Sequence, residues 1–455
     1  MTALGQKDSA KHSSIMQIIL QVLFILVLSG LGYLVTQRFK LIISTIQLAK
    51  PIELNDQSSE RWKRVFLLAF GQKKMFQKPL VGFFHFLIYA GFVLINVEIV
   101  EIVLDGILGT HRIFAPYLGS IYPFLLDFFE LLALGVFVAC LVFFMRRSII
   151  QVPRLQVQNH RELAGFPLKD AYTILAIECI LMLALWTMNA SDAILQARQV
   201  EHFEPVGAFV VSKNLIPMFS DLSTSTLLML ERVAWWFHIL GILGFALYVT
   251  YSKHLHIFFA FPAAYYSSLE SSGKIAHMPS VAHEVKLMLG QPVDANATVP
   301  EQLRFGAKDV MDLTWKNALD AYSCTECGRC TEQCPANQTG RALSPRKIMM
   351  DTRDRLEEVG KVLSQNRGQW SEDGKSLLGD YISAEELRAC TTCQACVEAC
   401  PMELSPLNII LALRRYQIME QSDAPAAWNS MFANIETNQA PWKFNPSDRL
   451  NWAKS

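Results

Sequence analysis

Five long apolar runs are the feature that most constrains what this chain can fold into. They cover approximately Ile15–Thr36, Leu80–Leu104, Ile121–Phe144, Ala171–Ala190 and Leu227–Thr250. Each run exceeds the ~18 residues that separate a transmembrane helix from a helix buried in a soluble core. A soluble bundle would show polar stripes, which these runs mostly lack. We therefore expect five transmembrane helices within residues 1–262 and no cleavable signal peptide before them.

The hydrophobic excess ends near Pro262, and the later part has the composition of a soluble protein. Of the 455 residues, 51% are hydrophobic, and the formal net charge is zero. A neutral chain has no global attraction to nucleic acid, so we expect no such partner. We divide the remainder into a connector (263–304), a soluble domain (305–420) and a tail (421–455) that we expect to be extended and weakly structured.

Basic residues in the loops predict the orientation of the chain in the membrane. Lys and Arg concentrate between runs one and two and between runs three and four, and they are far fewer on the opposite side. By the positive-inside rule, the N-terminus lies outside and the soluble domain lies in the cytoplasm.

Eight of the ten cysteines form two copies of one motif, C-x2-C-x2-C-x3-C-P. The copies are Cys324, Cys327, Cys330, Cys334 and Cys390, Cys393, Cys396, Cys400. This is the bacterial ferredoxin pattern for a [4Fe–4S] cluster, whose fourth Cys ligates the other cluster. Cluster one would be held by Cys324, Cys327, Cys330 and Cys400, and cluster two by the remaining four. Zinc is the alternative, but zinc sites use two C-x-x-C pairs for four ligands, and such clustered thiols rarely form disulfides.

Helix-start signals predict that the soluble domain is mostly helical, which makes the fold class all-α. Ser344-Pro345 and Ser405-Pro406 each place a capping Ser before a Pro at the first helical position. Ser383 with Glu386 forms a capping box.

The soluble domain resembles the helical ferredoxin domain of the heterodisulfide reductase C subunit and of the iron–sulfur subunit of anaerobic glycerol-3-phosphate dehydrogenase. The resemblance rests on the two cysteine motifs, on residues 305–330 with Thr314-Trp315, and on the tail residues 446–449 and 452–454. In fused relatives this tail leads into cysteine-rich CCG domains that carry a catalytic site. The resemblance implies that such a domain lies here on a separate polypeptide.

Three membrane histidines are candidate haem ligands: His85 in the second run, His238 in the fifth and His256 at the end of the fifth. His238 and His256 are eighteen residues apart, so on one continuous helix they share a face and lie ~27 Å apart. Neutral imidazole is a good axial ligand for haem iron. Helix depth leaves the partner of His85 open, and His254 is a further candidate. The alternative is that all are polar residues satisfied within the bundle or at its ends.

Residues 237–241 through 252–256 resemble the last helix of the respiratory nitrate reductase gamma subunit, whose five-span layout with an outside N-terminus also matches. In that family, the second span carries two axial histidines ten residues apart. Phe84-His85 fits the first of them, but Ile95 stands at the second. The resemblance implies one haem b held by His85 and His256. A second haem would need a partner for His238, such as His111.

Several carboxylates map to the outer ends of the spans: Glu98, Glu101, Asp105, Asp127, Glu130 and Glu231. Carboxylates at membrane depth are expensive and usually functional. Glu98 and Glu101 are candidates for a quinone site, which must exchange protons with water. The alternative is that these acids lie just beyond the hydrocarbon, with Arg112 and Arg232 as counter-ions. Glu178 lies deeper, beside Cys179.

No nucleophile or Gly-rich nucleotide loop is recognisable. We therefore expect an electron-transfer subunit of a quinone-linked oxidoreductase, which connects two cytoplasmic [4Fe–4S] clusters to the quinone pool through haem b. A CCG-domain protein or an electron-transfer flavoprotein would be its soluble partner. One alternative is a subunit of a heterodisulfide reductase-like thiol–disulfide oxidoreductase. Another is a membrane redox sensor, which the haem-type histidines disfavour because a sensor needs no electron path across the membrane.

Overall fold

The computed structural model describes residues 3–270, 273–275, 278–293, 304–443 and 445–454. Within these ranges the chain is helical and contains no β-strand, which confirms the predicted all-α class. The first half contains α1 (Ala3–Gln47), α2 (Ser58–Arg64), α3 (Pro79–Leu108), α4 (Ala115–Leu118), α5 (Ile121–Ser148), α6 (Phe166–Ala197), α7 (Ile216–Phe219), α8 (Thr224–Val249) and α9 (His256–Tyr265). The second half contains α10 (Pro279–Met288), α11 (Trp315–Ser323), α12 (Arg329–Glu332), α13 (Pro335–Gln338), α14 (Pro345–Gln365), α15 (Ala384–Ala389), α16 (Ala395–Ala399), α17 (Pro406–Met419) and α18 (Ala426–Asn438).

Five helices are long and apolar enough to cross a membrane, as the sequence predicts. They are α1 from Ile15 onward, α3, α5, α6 and α8. Most of them extend several residues beyond the apolar run that predicted them, because polar residues continue the helix at its ends. Their outer faces expose large apolar side chains such as Leu80, Phe124 and Ile121. Lipid tails would cover such surfaces, which a soluble monomer rarely presents over so large an area.

The transmembrane helices approach one another closely where one of them carries glycine. α3 packs on α5, and α6 packs on both α5 and α8. A Cβ atom added to Gly91 would lie 2.3 Å from Cγ2 of Val136, and one added to Gly241 would lie 2.6 Å from Cδ2 of Leu181. Small residues at such crossings permit the close packing that holds membrane helices together.

The soluble domain is built from α11 to α17 around an apolar core that includes Ile348, Leu356 and Ile409. The predicted caps are confirmed. The side chains of Ser344, Ser383 and Ser405 accept hydrogen bonds from the amides of Lys347, Glu386 and Asn408. The long helix α14 lies between the two cysteine motifs in sequence and accounts for their wide spacing.

Ion pairs join the soluble domain to one end of the bundle, which we call the domain-facing end; the opposite end is the remote end. The pairs are Arg38–Glu357 (2.6 Å), Arg64–Glu403 (2.8 Å), Arg154–Glu332 (3.0 Å), Arg346–Glu162 (2.8 Å) and Lys253–Glu326 (2.5 Å). The basic partner comes from the bundle in four of them. The loops that predict the orientation of the chain are therefore the loops on which the domain sits.

The last transmembrane helix ends close to the predicted Thr250 and does not continue to His256. α8 ends at Val249, and a 3₁₀ turn over Lys253–Leu255 precedes α9, which begins at His256. Ser252 is extended (φ −105°, ψ 161°), and its Oγ accepts a hydrogen bond from the amide of His254. The prediction that His238 and His256 share one continuous helical face is wrong, because the backbone leaves the helix between them.

The tail also differs from the prediction that it is extended. Helix α18 occupies thirteen residues of it. Trp428, Phe432 and Ile435 recur there at helical spacing, a signal that a search for long apolar runs overlooks. Residues 294–303 of the connector lie outside the described residues.

Candidate redox centres

The cysteines assigned to cluster one line a single cavity: Cys324, Cys327, Cys330 and Cys400. Cys324 and Cys327 lie on the tight loop between α11 and α12, Cys330 lies in α12, and Cys400 follows α16. The loop turns sharply because Glu326 and Gly328 adopt left-handed φ values of 55° and 73°. Cys396, which is assigned to cluster two, also borders this cavity.

The second motif repeats the loop conformation of the first. Thr392 and Gln394 occupy the equivalent positions and have φ values of 57° and 65°. Burial, followed by the neighbouring thiols of Cys390, Cys334 and Cys393, raises the pKa of Cys396 to about 12. The structure thus brings Cys334 to the second motif and Cys400 to the first. Cluster ligation by these two sets stays a prediction.

The surroundings of the thiols suit iron–sulfur clusters. Burial raises the pKa of Cys324 to about 11 and that of Cys400 to about 12, so these groups stay protonated until a metal binds and displaces the proton. The amides of Thr392 and Leu404 donate hydrogen bonds to Sγ of Cys390 and Cys400, both at 3.4 Å. Across the described ranges, no three ligand side chains converge tightly enough to hold one metal ion. The first set surrounds a cavity, as a four-iron cube requires.

The two motifs differ in exposure at one cysteine. Cys393 of the second motif is exposed, whereas Cys324 and Cys334 of the first motif and Cys396 of the second are buried. The first motif contacts the bundle, where Nε of Arg154 donates to the carbonyl of Cys327 at 3.1 Å. The second motif also contacts a loop of the bundle, where Nζ of Lys74 donates to the carbonyl of Glu398 at 3.2 Å, so solvent reaches this motif at Cys393.

Histidines gather at the domain-facing end. The ring centroids of His254 and His256 lie 5.5 Å apart. Burial, together with the nearby charges of His256 and His85 among others, holds the pKa of His254 well below its ordinary value. His85 and His254 therefore lie near each other and near His256, although they come from opposite ends of the bundle sequence.

The hydrogen bonds of two of these histidines leave a coordinating nitrogen free. Nδ1 of His85 donates to Oε1 of Gln72 at 2.9 Å, and Nδ1 of His256 donates to the carbonyl of Lys253 at 3.0 Å. Because each acceptor is an oxygen, Nδ1 carries the proton and Nε2 keeps its lone pair. This is the arrangement that metal-bound histidines adopt. The residues present therefore fit haem iron.

His238 meets the same chemical requirement but stands apart. It is buried in the middle of α8, and its Nδ1 donates to the carbonyl of Leu181 at 3.0 Å. Its expected partner, His111, lies at the remote end, where Nε2 is 3.6 Å from Oδ1 of Asp192 and the ring packs on Phe203. The described residues show no contact between His111 and His238.

Several of the predicted membrane acids surround one cavity at the remote end. Its lining includes Glu98, Glu101, Asp105, His111, Arg112, Asp192, Glu231 and Trp235. Glu101 uses both carboxylate oxygens, which accept from the amide of Phe114 (2.8 Å) and the hydroxyl of Tyr122 (2.7 Å). Glu98 is 5% exposed, and it has no hydrogen bond within the described parts of the chain. Glu98 therefore has a carboxyl group that is available to a ligand.

The remaining acids have other surroundings. Glu130 accepts hydrogen bonds from the amide of Val211 (2.8 Å) and from Asn189 (3.0 Å), so it holds the loop before α7. Asp127 has a buried Oδ1 without a partner among the described residues. Glu178 lies outside the remote cavity.

The expected counter-ions do pair with acids, but Arg112 pairs with one that the sequence patterns do not indicate. Nε of Arg112 donates to Oδ2 of Asp192 at 2.8 Å, and Arg232 lies 3.6 Å from Glu231. Sequence patterns do not mark Asp192 as a candidate site residue, because it is a single acidic residue after an apolar run. Its role depends on a partner 80 residues away.

A buried ion-pair network joins the first cysteine motif to the histidine segment. Nζ of Lys253 donates to Oε2 of Glu326 at 2.5 Å, and Arg353 donates to Oε1 at 2.6 Å. Although burial raises it, the charges of Arg353 and Lys253 lower the pKa of Glu326 to about 2. Glu326 therefore stays ionised between the two cations. Local sequence patterns carry no signal for this network, because Lys253 and Glu326 are 73 residues apart.

Comparison with known proteins supports the iron–sulfur part of this arrangement. Residues 323–404 match the 4Fe-4S dicluster domain family. The chain is 27% identical over 459 residues to the probable iron-sulfur-binding oxidoreductase FadF of Bacillus subtilis, covering 95% of this chain and 60% of that protein. It is 27% identical over 433 residues to the EtfAB:quinone oxidoreductase of Syntrophomonas wolfei, covering 88% of this chain and 55% of that protein.

The cysteine-rich domain has relatives of its own. It is 33% identical over 115 residues to the C subunit of the ferredoxin/F(420)H(2)-dependent CoB-CoM heterodisulfide reductase of Methanosarcina acetivorans, covering 25% of this chain and 56% of that protein. The resemblance to heterodisulfide reductase C subunits is thereby confirmed. No solved structure matches the chain. The five apolar helices and these matches together make the chain a membrane iron–sulfur protein with a role in electron transfer.

Proposed function

We propose that the chain is a membrane-anchored electron-transfer subunit that passes electrons between two [4Fe–4S] clusters and the quinone pool by way of haem b. The observation that carries the proposal is the contact between the first cysteine motif and the histidine segment after α8. Lys253, next to His254, pairs with Glu326, which lies between Cys324 and Cys327. The candidate metal centres of the two halves are therefore neighbours.

The two cysteine sets would hold the clusters, with the second motif as the point of exchange with a soluble partner. Cys393 is exposed, so a partner can approach the second motif closely. The first motif is covered by the bundle and the ion pairs around it. This order connects solvent to the second motif, then to the first, and then to the histidines.

His85 and His256 would hold one haem b on the domain-facing side. A bound haem b supplies a one-electron carrier. Gln72 and the carbonyl of Lys253 fix both imidazoles in the tautomer whose Nε2 can coordinate. The resemblance of this region to the nitrate reductase gamma subunit supports the assignment. His238 would be one axial ligand of a second haem, for which we assign no second ligand.

The remote cavity would take the quinone. Reduction of a quinone consumes protons as well as electrons, so its site needs groups that move protons. Glu98 is buried and without a hydrogen bond in the described residues, whereas Glu101 is held by Phe114 and Tyr122. We therefore assign the proton-transferring role to Glu98 and a supporting role to Glu101. The Syntrophomonas relative is named as a quinone oxidoreductase, which supports quinone as the substrate of this cavity.

The substrate chemistry would belong to a soluble partner. The name of the same relative supports an electron-transfer flavoprotein as this partner. The match to a heterodisulfide reductase subunit supports a CCG-domain protein instead. The partner would dock in the cytoplasm, and the N-terminus would lie outside. The many Lys and Arg residues in the domain-facing loops support this orientation.

Quinol oxidation by the purified chain tests the proposal. A ubiquinol or menaquinol analogue is expected to reduce both a b-type haem and the clusters under anaerobic conditions. Glu98→Gln is expected to slow this reduction ~100-fold, because it removes a general acid–base group. Glu178→Gln, which removes a membrane carboxyl outside the cavity, is expected to leave the rate unchanged. Absorption spectroscopy in a stopped-flow instrument measures each rate.

Three results would contradict the proposal. They are the absence of a b-type band in the wild-type protein, failure of quinols to equilibrate with the centres, and turnover of a soluble metabolite by the chain alone.

The heterodisulfide reductase-like alternative is favoured by the match of the cysteine-rich domain to a C subunit. It shares the membrane path and differs in the partner's substrate, a disulfide. Adding purified candidate partners to the quinol-reduced chain separates the two functions. A CCG-domain protein that consumes electrons when a disulfide is supplied would favour the alternative.

A further inference from the structure

A short helical segment lies between the first two spans. Helix α2 (Ser58–Arg64) continues without a break into a π-helical turn, Val65–Phe70. One side of this segment is buried, because Arg61 and Val65 are each 2% exposed. Nη1 of Arg61 donates to the carbonyl of Tyr265, at the end of α9, at 3.1 Å. The segment therefore packs on α9 in a fixed orientation.

A second side of the segment exposes three aromatic rings in a row, which we call the aromatic strip: Trp62, Phe66 and Phe70. Their exposed fractions are 52%, 61% and 46%. The ring centroids of Trp62 and Phe66 lie 6.4 Å apart, and those of Phe66 and Phe70 lie 5.5 Å apart. Trp62 and Phe70 also contact the rings of Tyr265 and Phe261 in α9. The strip is therefore an ordered apolar surface that stays exposed within the described parts of the chain.

The third side of the segment is charged. Glu60 and Lys63 form an ion pair at 3.2 Å, and their side chains are 45% and 63% exposed. Since successive helical residues are rotated by 100°, Glu60 lies ~160° around the helix from Trp62. One buried, one aromatic and one charged side together form the pattern of a helix that lies in the surface of a membrane.

The aromatic strip continues the lipid-facing surface of the spans. Phe76, which follows the strip in the chain, packs on Phe86 of α3 with ring centroids 6.2 Å apart, and both residues are 41% exposed. In α9, Phe258 is 44% exposed and packs on Phe39 of α1 at 5.3 Å. The segment and α9 therefore lie beside the domain-facing ends of α1 and α3.

We propose that the segment Ser58–Phe70 lies in the headgroup region of the bilayer at the domain-facing end, with the aromatic strip inserted between the acyl chains of that leaflet. The partner of the strip is thus a lipid surface. Aromatic side chains are enriched at this depth of a membrane. A second protein is the other possible occupant, but the continuity of the strip with the lipid-facing surface of α3 favours lipid. The inference goes beyond the proposed function, because it needs neither haem nor quinone.

The segment leads directly into the loop that contacts the candidate redox centres. Oε1 of Gln72 accepts a hydrogen bond from Nδ1 of His85 at 2.9 Å. The carbonyl of Lys74 accepts one from Arg329, in the first cysteine motif, at 3.0 Å. Insertion of Phe70 into the membrane would therefore fix the start of a loop that contacts both centres.

Photocrosslinking tests the proposal. The photoreactive amino acid p-benzoylphenylalanine is placed at Phe66 in the full chain, which is purified anaerobically and reconstituted into phosphatidylcholine vesicles. After irradiation, mass spectrometry of the peptides identifies the molecule that this side chain contacts. We expect a lipid adduct at Phe66, as at Phe83, a residue of α3 that is 50% exposed on the surface of a span.

Glu60 is the matched control, because it lies on the charged side of the same segment. The photoreactive residue placed there is expected to give no lipid adduct. The exposed ion pair that is lost with Glu60 contributes little to folding. Cluster absorbance shows whether each variant has folded. If the variant at Phe66 loses its clusters, the same measurement is made at Trp62.

Two results would overturn the proposal. Equal yields of lipid adduct at Glu60 and Phe66 would show that the segment does not direct the aromatic strip into the bilayer. Absence of a lipid adduct at Phe66, when Phe83 gives one, would show that the strip lies outside the acyl chains. An adduct of Phe66 with a second protein chain in place of lipid would instead identify the strip as a protein-docking surface.

Discussion

At the scale of single residues, one backbone position decides how the first cysteine motif can fold. Gly328 and Gln394 occupy equivalent places in the two motifs, and both are left-handed. A Cβ at Gly328 would lie 2.5 Å from Nη1 of Arg346 and 3.1 Å from the carbonyl of Arg154. Gln394 has room for its side chain, whose Oε1 accepts from the amide of Gly273 at 3.0 Å. The same turn therefore needs glycine in the first motif and tolerates a side chain in the second.

Gly328→Ala is expected to remove cluster one and leave cluster two. The left-handed conformation costs an L-residue ~1–2 kcal/mol, and the new methyl group also displaces Arg346. Iron and acid-labile sulfide in anaerobically purified protein are expected to fall from about eight to about four per chain. Gln394→Gly, the control at the equivalent position, is expected to keep about eight. Full iron content in Gly328→Ala would show that the loop adapts.

The sequence predicts those site residues whose signal is local. The cysteines could be found because their spacing matches a known ligand pattern, and His85 and His256 because polar rings are rare in apolar runs. Lys253 and Asp192 could not be found, because each acts through a partner far away in the chain.

At the scale of elements, the break between α8 and α9 determines which residues reach the interface. Hydropathy predicts the five spans correctly because it averages over some twenty residues. The same averaging places the end of the fifth span correctly but carries no information on the short turn that follows it. The break turns Lys253 toward the soluble domain, where it meets Glu326.

Lys253→Gln is expected to destabilise the attachment of the domain strongly. It leaves the buried Glu326 with Arg353 as its remaining cation, and breaking a buried ion pair costs ~3–5 kcal/mol. Arg64→Gln breaks a more exposed pair and is expected to cost about 1 kcal/mol or less. Thermal unfolding in detergent, followed by cluster absorbance, compares the two. Equal shifts would show that the Lys253 pair contributes little.

At the scale of the whole molecule, the proposed function places the candidate redox groups in a series from the soluble domain to the remote end of the bundle. The exposed second motif, the buried first motif, His85 and His256, then His238 and finally the remote cavity follow one another. The sequence predicts which residues belong to this series. Their order in space follows only from the three-dimensional fold. Helix α3, for example, carries His85 near one end and Glu98 near the other.

Fusions to the C-terminus are expected to show which side of the membrane carries the iron–sulfur domain. A green fluorescent protein fused there should fluoresce, because the domain-facing loops hold most of the basic residues and should remain in the cytoplasm. An alkaline phosphatase fusion at the same place should be inactive. An active phosphatase with a dark fluorescent fusion would reverse the orientation.

Because the two cysteine motifs are unequally exposed, the two clusters should differ in their sensitivity to oxidants. Cys393 is open to solvent, whereas Cys324 is buried beneath the bundle. Oxidants that attack accessible sulfur would therefore destroy the outer cluster first. Under the proposed function, loss of that cluster would cut the path to a soluble partner, whereas the first cluster would stay covered. Repair would then need to rebuild one accessible site.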